Sequence, residues 1–127
     1  MKAVLILGSE VDQAHAEKIT GALDAQKIPH ETLVASAHKK TREVLEIVEK
    51  FANEKVVFIT IAGRSNALSG VVAANSSKPV LACPPFKDKD DYLVNIHSTL
   101  QMPSGTPVLT ILDPGNCAEA AARILNL

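Results

Sequence analysis

A chain of 127 residues is long enough for one domain with a single core and too short to need a second. With 13 basic and 14 acidic side chains its net charge is −1, which gives no electrostatic case for a nucleic acid or an acidic membrane surface as partner. Any anion it binds must be recognised locally.

Lys2–Leu7 reads as a first strand. Its apolar run stops at Gly8 without the small-residue cleavage signature of a signal peptide, so a cytoplasmic protein is expected. Gly8-Ser9-Glu10-Val11-Asp12 turns out of the strand. Asp12 or a close neighbour then caps a helix to about Gln26, with Ala14, Ile19, Ala22 and Leu23 on its apolar stripe. Pro29 ends that connection, Glu31–Ala35 is the second strand, and Ser36-Ala37-His38-Lys39 is its exit. Thr41–Asn53 follows as a helix with Val44, Leu45, Val48 and Phe51 facing inward.

Val56–Ile61 is a nearly continuous apolar, β-branched run, the pattern of a strand covered on both faces, and it stops abruptly at Ala62-Gly63-Arg64-Ser65-Asn66. Gly63 lets a ligand approach the backbone, and Ser65 or Asn66 can cap the helix that begins near Ala67. A strand end, a glycine turn and a helix N-terminus together make a place to hold an anion. The plainer alternative is a solvated Arg64 beside a simple serine cap.

Leu68–Ala74 continues a short helix, and Ser76–Pro79 breaks it before a fourth strand, Val80–Ala82, which runs into Cys83-Pro84-Pro85. Lys87–Asp91 opens a charged loop, Tyr92–Leu100 reads as a helix, and Gln101–Gly105 as a loop. Pro107–Leu112 is the last strand, and Asp113-Pro114-Gly115 turns into a final helix through Leu125. Cys83 and Cys117 fall in different elements without metal-ligand spacing and read as reduced, structural thiols, so no metal is expected.

Strands alternating with helices at this spacing imply an α/β fold: one three-layer αβα domain around a doubly wound parallel sheet, crossovers right-handed. The order favoured is 2-1-3-4-5, flavodoxin-like, in which the winding reverses between strands 1 and 3 and ligands bind outside the carboxyl ends there. Three polar loops, Gly8–Asp12, Ser36–Lys39 and Gly63–Asn66, leave those adjacent ends.

The first loop has neither a GxGxxG pattern nor a P-loop lysine motif, so a single phosphate fits it better than a dinucleotide or a nucleoside triphosphate. Ser9 and helix-terminal amides could hold that phosphate, and Asp12 could accept hydrogen bonds from sugar hydroxyls; the alternative for Asp12 is a plain N-cap. His38 lies where the second strand ends, with Lys39 beside it to depress its proton affinity. A histidine titrating near neutrality is the usual proton carrier, and a capped or solvated ring is the alternative. His15, His30 and His97 receive no role. No arrangement argues for a covalent triad, and Cys83 before two prolines reads as stiffening its loop.

Gly8-Ser9-x-x-Asp12, Ser36-Ala37-His38-Lys39, Ala62-Gly63-Arg64-Ser65-Asn66-Ala67-Leu68-Ser69-Gly70, Cys83-Pro84-Pro85 and Met102-Pro103-Ser104-Gly105 occur in order and span most of the chain. Together they resemble the phosphoribosylaminoimidazole carboxylases (AIR carboxylases) of purine biosynthesis. The A-G-R-S-N and C-P-P signatures are similar to those of the class II branch, which carboxylates aminoimidazole ribonucleotide directly with carbon dioxide. The class I mutases typically carry a glycine- and alanine-rich loop with a histidine where this chain has Arg64–Leu68.

The resemblance implies that Ser9, Asp12, Ser36 and Lys39 hold the phosphate and ribose, that Ser65 and the Ala67 backbone close the site around base and carbon dioxide, and that His38 carries the proton. It implies no cofactor, since the electron-rich aminoimidazole adds carbon dioxide without ATP or biotin. Met102–Gly105 would form part of the wall, from the same or a neighbouring subunit. Alternatives in view are a carboxyamino-imidazole ribonucleotide mutase and a non-catalytic nucleotide-binding protein of the same fold.

Two departures stand out. The family usually reads G-S-x-S-D in the first loop, whereas Val11 here removes one hydroxyl donor. Relatives are usually octamers whose chains continue past the last helix onto a neighbouring subunit. This sequence stops at Leu127, so the resemblance implies a homo-oligomer without fixing the octamer.

Overall fold

Two central strands, β1 (Lys2–Leu7) and β3 (Val56–Ile61), run in parallel with Lys2 opposite Val56 and Leu7 opposite Ile61. Every residue of β3 is buried, so the strand has no solvent face and helices must cover both sides of the sheet. The computed structural model describes residues 1–127. The remaining elements are α1 (Gln13–Ala25), β2 (His30–Val34), α2 (Thr41–Lys50), α3 (Leu68–Asn75), β4 (Val80–Ala82), α4 (Lys89–Leu100), β5 (Leu109–Thr110) and α5 (Pro114–Leu125). All pairings are parallel and the order is β2-β1-β3-β4-β5, as the alternation of elements implies.

The alternation of side chains along β1 and β3 sorts the core into two layers. Ala3, Leu5, Leu7, Val57, Ile59 and Ile61 pack against Ala16, Ile19 and Leu23 of α1 and against Cys117, Ala118, Ala121, Ala122 and Leu125 of α5. On the opposite face, Val4, Ile6, Val56 and Phe58 meet Val44 and Val48 of α2, Phe51, and Leu68, Val72 and Ala73 of α3. Phe51 and Phe58 cross edge to face with centroids 6.4 Å apart, an arrangement that contributes about 0.5–1.5 kcal/mol beyond its buried area.

Several boundaries differ from the sequence reading, each for a local reason. The stripe of α1 is Ala16, Ile19 and Leu23, a spacing of three and then four, and Ala14 faces solvent. Leu45 is likewise on the outside of α2, 38% exposed. That helix ends at Lys50, and Phe51 follows in a turn whose amide bonds back to Ile47 and Glu49. Asp88 accepts a hydrogen bond from the Asp91 amide and so starts α4 at Lys89, before Tyr92. β5 keeps two residues of the six expected, paired with Leu81 and Ala82, because Pro107 has no amide to donate and the strand is at the sheet edge. No helix is long and apolar enough to cross a membrane.

Candidate active site

The roots of the three polar loops are tied together by the sheet itself. The Gly8 amide donates to the Ile61 carbonyl at the end of β3, and the Ala35 amide donates to the Leu7 carbonyl at the end of β1, each at 2.9 Å. A Cβ on Gly8 would stand 3.2 Å from the Ala62 methyl, so a larger residue here would press the first and third loops apart by a few tenths of an ångström. Between them opens a cleft of about 550 Å³.

Of the residues singled out from the sequence, Ser9, Asp12, Ser36, His38, Ser65 and Ala67 line this cleft. Lys39 does not. It is exposed, and its amide donates to Ser36 Oγ at 3.2 Å.

In the first loop Ser9 has an extended backbone, and its hydroxyl accepts from the Val11 amide at 3.3 Å, starting a 3-10 turn over Glu10–Asp12. Ser9 is therefore the capping residue. Asp12 precedes α1 but makes no side-chain capping bond, which sets aside the simple N-cap reading and leaves its carboxylate free toward the cleft. Partial burial raises the pKa of that carboxyl and the charge of His15 pulls it back down. Val11 lines the mouth of the cleft with its side chain 86% exposed.

The second loop folds on itself. Lys40 donates its amide to the Ser36 carbonyl at 2.8 Å, and the Thr41 hydroxyl donates to the Ala37 carbonyl. Ala37 is pulled into the core while His38 is left exposed at the tip, facing the cleft. The Ser36 hydroxyl accepts from the loop and keeps its own proton to donate.

The third loop is pinned from outside. Asn66, only 3% exposed, donates its amide to Ser98 Oγ at 2.8 Å and its Nδ2 to Thr99 Oγ1 at 3.0 Å, both on α4. Its Oδ1 accepts from the Ser69 amide, so Asn66 and not Ser65 is the side chain that caps α3. Ser65 is thereby held at φ +47°, a left-handed conformation that costs a non-glycine residue free energy and turns its hydroxyl into the cleft.

A fourth wall escaped the sequence reading. Pro85, Phe86, Lys87 and Asp91 also line the cleft, with the Pro85 carbonyl against Gly63 and Phe86 edge-on to Tyr92 at 5.3 Å. Asp91 accepts from the Lys87 amide at 2.9 Å and from Asn95 Nδ2 at 2.7 Å. The Lys87 amide chiefly lowers the pKa of Asp91, with help from Asn95 and from the charges of Lys87 and Arg64. The signal for this wall was the Asp88-x-x-Asp91 cap, which turns a charged stretch into a helix start. Met102–Gly105, expected in the wall, does not line the cleft within one chain; Met102 packs instead on α3, where a Cβ on Gly70 would meet its sulfur at 3.2 Å.

Serine hydroxyls, loop amides and a helix N-terminus beside one carboxylate and one imidazole, gathered at the switch point of a doubly wound sheet, define an α/β protein whose cleft has the donors to take a small anion and the acceptor to take hydroxyls. The family model described as AIR carboxylase matches residues 2–127. The chain belongs to the AIR carboxylase family. It is 47% identical to the phosphoribosylaminoimidazole carboxylase of Archaeoglobus fulgidus over its whole length, covering 70% of that protein. It is 38% identical to the human bifunctional phosphoribosylaminoimidazole carboxylase/phosphoribosylaminoimidazole succinocarboxamide synthetase, of which it spans 30%. The crystal structure of Treponema denticola PurE superposes with a TM-score of 0.90 at 38% identity, covering 98% of this chain and 79% of that one.

Proposed function

We propose that the chain carboxylates 5-aminoimidazole ribonucleotide with carbon dioxide to 4-carboxy-5-aminoimidazole ribonucleotide, in the cytoplasmic synthesis of purines, with His38 as proton carrier. The observation that carries this reading is the common cleft: Ser9, Asp12, Ser36, His38 and Ser65 line one cavity of about 550 Å³. Ser9 and the loop amides take the phosphate, Asp12 the ribose hydroxyls, and Ser36 donates from a hydroxyl that the Lys39 amide orients. Ser65 and the Ala67 backbone close over the base and the carbon dioxide.

The amino group pushes electron density onto the ring carbon, which forms the new carbon–carbon bond to carbon dioxide while one carbon–oxygen π pair moves onto oxygen. The ring proton then leaves to the His38 imidazole, and the electrons of that C–H bond restore the aromatic ring. No ATP, biotin or other cofactor is called on. Orientation in the cleft, exclusion of water and one placed base are the whole of the catalysis.

The Archaeoglobus and Treponema relatives both carry the name carboxylase, which favours direct carboxylation over a mutase reaction. Homo-oligomer formation belongs to the same proposal. Leu93, Val94 and Leu100 on α4 and Leu109 on the edge strand β5 leave large apolar side chains in solvent, a feature that suits burial against further copies.

The test is carboxylation followed by ultraviolet absorbance, with aminoimidazole ribonucleotide and bicarbonate, for the unmodified chain and for His38→Asn. Product from the unmodified protein alone supports the reading. Tight binding without turnover would make the chain a nucleotide-binding protein, and turnover unchanged in His38→Asn would remove the proton carrier.

A further inference from the structure

A line of polar side chains runs from the cleft floor into an otherwise aliphatic core. His15 follows Asp12 by three positions at the start of α1, on the same side of the helix, and its charge acts on the Asp12 carboxyl. On its other side, His15 Nε2 lies 3.6 Å from Cys83 Sγ. Cys83 directly follows β4 and is fully buried, with the Leu112 carbonyl 3.6 Å from its sulfur ready to accept from the thiol form. Cys117 on α5, equally buried, belongs to the same core cluster and acts on that sulfur.

We propose that His15 is a positioning residue for the cleft: anchored by the sulfur of Cys83, its ring keeps a charge beside the Asp12 carboxylate one helical turn away. The proposal rests on the reading of Asp12 as the ribose-binding group and extends the site one layer into the core.

The charged and titratable groups facing Cys83 are His15 from α1, Cys117 from within α5 and Asp113 at that helix's cap. The Cys117 hydrogen bond lowers the Cys83 pKa most, His15 adds to it, and burial and Asp113 oppose, leaving it at about 6. Donating to that sulfur, and burial, push Cys117 the other way, so the pair gives up one proton and keeps one. A buried thiolate persists only with donors around it. The half-buried His15 ring, 3.6 Å from that sulfur, is the polar group that meets it from α1.

The test compares the unmodified chain with His15→Gln, Cys83→Ser and Cys117→Ala, each first checked for a cooperative melt. Without ligand, the thiolate band near 240 nm and the carbon-13 resonance of the Asp12 carboxyl, assigned with Asp12→Asn, are followed against pH. The expected result is a thiolate appearing near pH 6 in the unmodified chain, absent in Cys83→Ser, and moved to higher pH in His15→Gln and in Cys117→Ala. Asp12 is expected to titrate higher in His15→Gln than in the unmodified chain. With ribonucleotide, His15→Gln is expected to raise KM about tenfold, equivalent to ~1.4 kcal/mol, and to lower kcat far less.

Thiolate and Asp12 titrations that are the same in His15→Gln and the unmodified chain would overturn the proposal. If the ligand-free shifts appear but the unmodified chain binds no ribonucleotide, the network stands and the functional reading of Asp12 is what fails.

Discussion

Asn66 Nδ2 donates to Thr99 Oγ1 at 3.0 Å, joining the loop that ends β3 to the helix that follows β4 across 33 positions of sequence. Through that bond, and the one from the Asn66 amide to Ser98, the strained backbone of Ser65 is held by packing rather than by its own preference. Asn66→Ala removes both side-chain bonds and leaves the Ser69 amide and Thr99 hydroxyl buried without partners. We expect a loss of about 1–3 kcal/mol of stability, read by denaturant unfolding. Activity should fall more than the loss of folded protein explains, because Ser65 is then free to leave its cleft-facing conformation.

Asp12→Ala separates binding from stability. The carboxylate makes no capping bond, so the melting temperature should hardly move, whereas ribonucleotide binding should weaken by about 1–3 kcal/mol through loss of a charge-assisted hydrogen bond. Calorimetric titration and a thermal melt on the same sample check both halves. Unchanged affinity with a lowered melt would return Asp12 to a structural role.

Val11→Ser adds a hydroxyl to the first loop beside the cleft. Because Val11 is exposed at the mouth of the cleft, the substitution should leave stability within about 0.5 kcal/mol. Phosphate-bearing ligands should bind about 0.5–1.5 kcal/mol more tightly if the added hydroxyl reaches them. Dissociation constants for the ribonucleotide and for its nucleoside show whether the gain follows the phosphate.

The Cys83 thiol gives a pH dependence with a definite sign. Its pKa in the folded chain is lowered to about 6 from an ordinary 9.0, so between those values the unfolded chain binds the extra proton and stability contributed by Cys83 rises with pH. The contribution is full above the ordinary thiol value and lost as pH falls through about 6. Cys117 is shifted upward and works against this above the ordinary value. The difference in unfolding free energy between the unmodified chain and Cys83→Ser should therefore grow from pH 6 to pH 8.5. A difference that is flat or shrinks over that range contradicts a thiolate in the core.

Much of this was legible in the residues because the strongest signals are local. The nearly continuous apolar run of β3 suits a strand covered on both faces, and once β1, β2 and β3 were placed, the strand order brought Ser9, His38 and Ser65 to one crevice. What was not legible depends on side chains meeting over distance or on one hydrogen bond among several that composition permits. Asp12 and Ser9 are both plausible caps, and only the extended backbone of Ser9 decides between them. Asn66 reads as an ordinary turn residue until α4 is packed against it. His15 and Cys83 are 68 positions apart, and neither sits in a spacing that announces the other. Phe86 and Asp91 were hidden in a stretch whose charge suggested a loop.

The structure of the chain bound to 5-aminoimidazole ribonucleotide tests the central claim most directly. The account expects the phosphate on Ser9 and the neighbouring amides, the ribose hydroxyls on Asp12, and the ring carbon that receives carbon dioxide within about 3–3.5 Å of the His38 imidazole or one water from it. A ribonucleotide seated elsewhere, or one in this cleft with its ring turned away from His38, would contradict it.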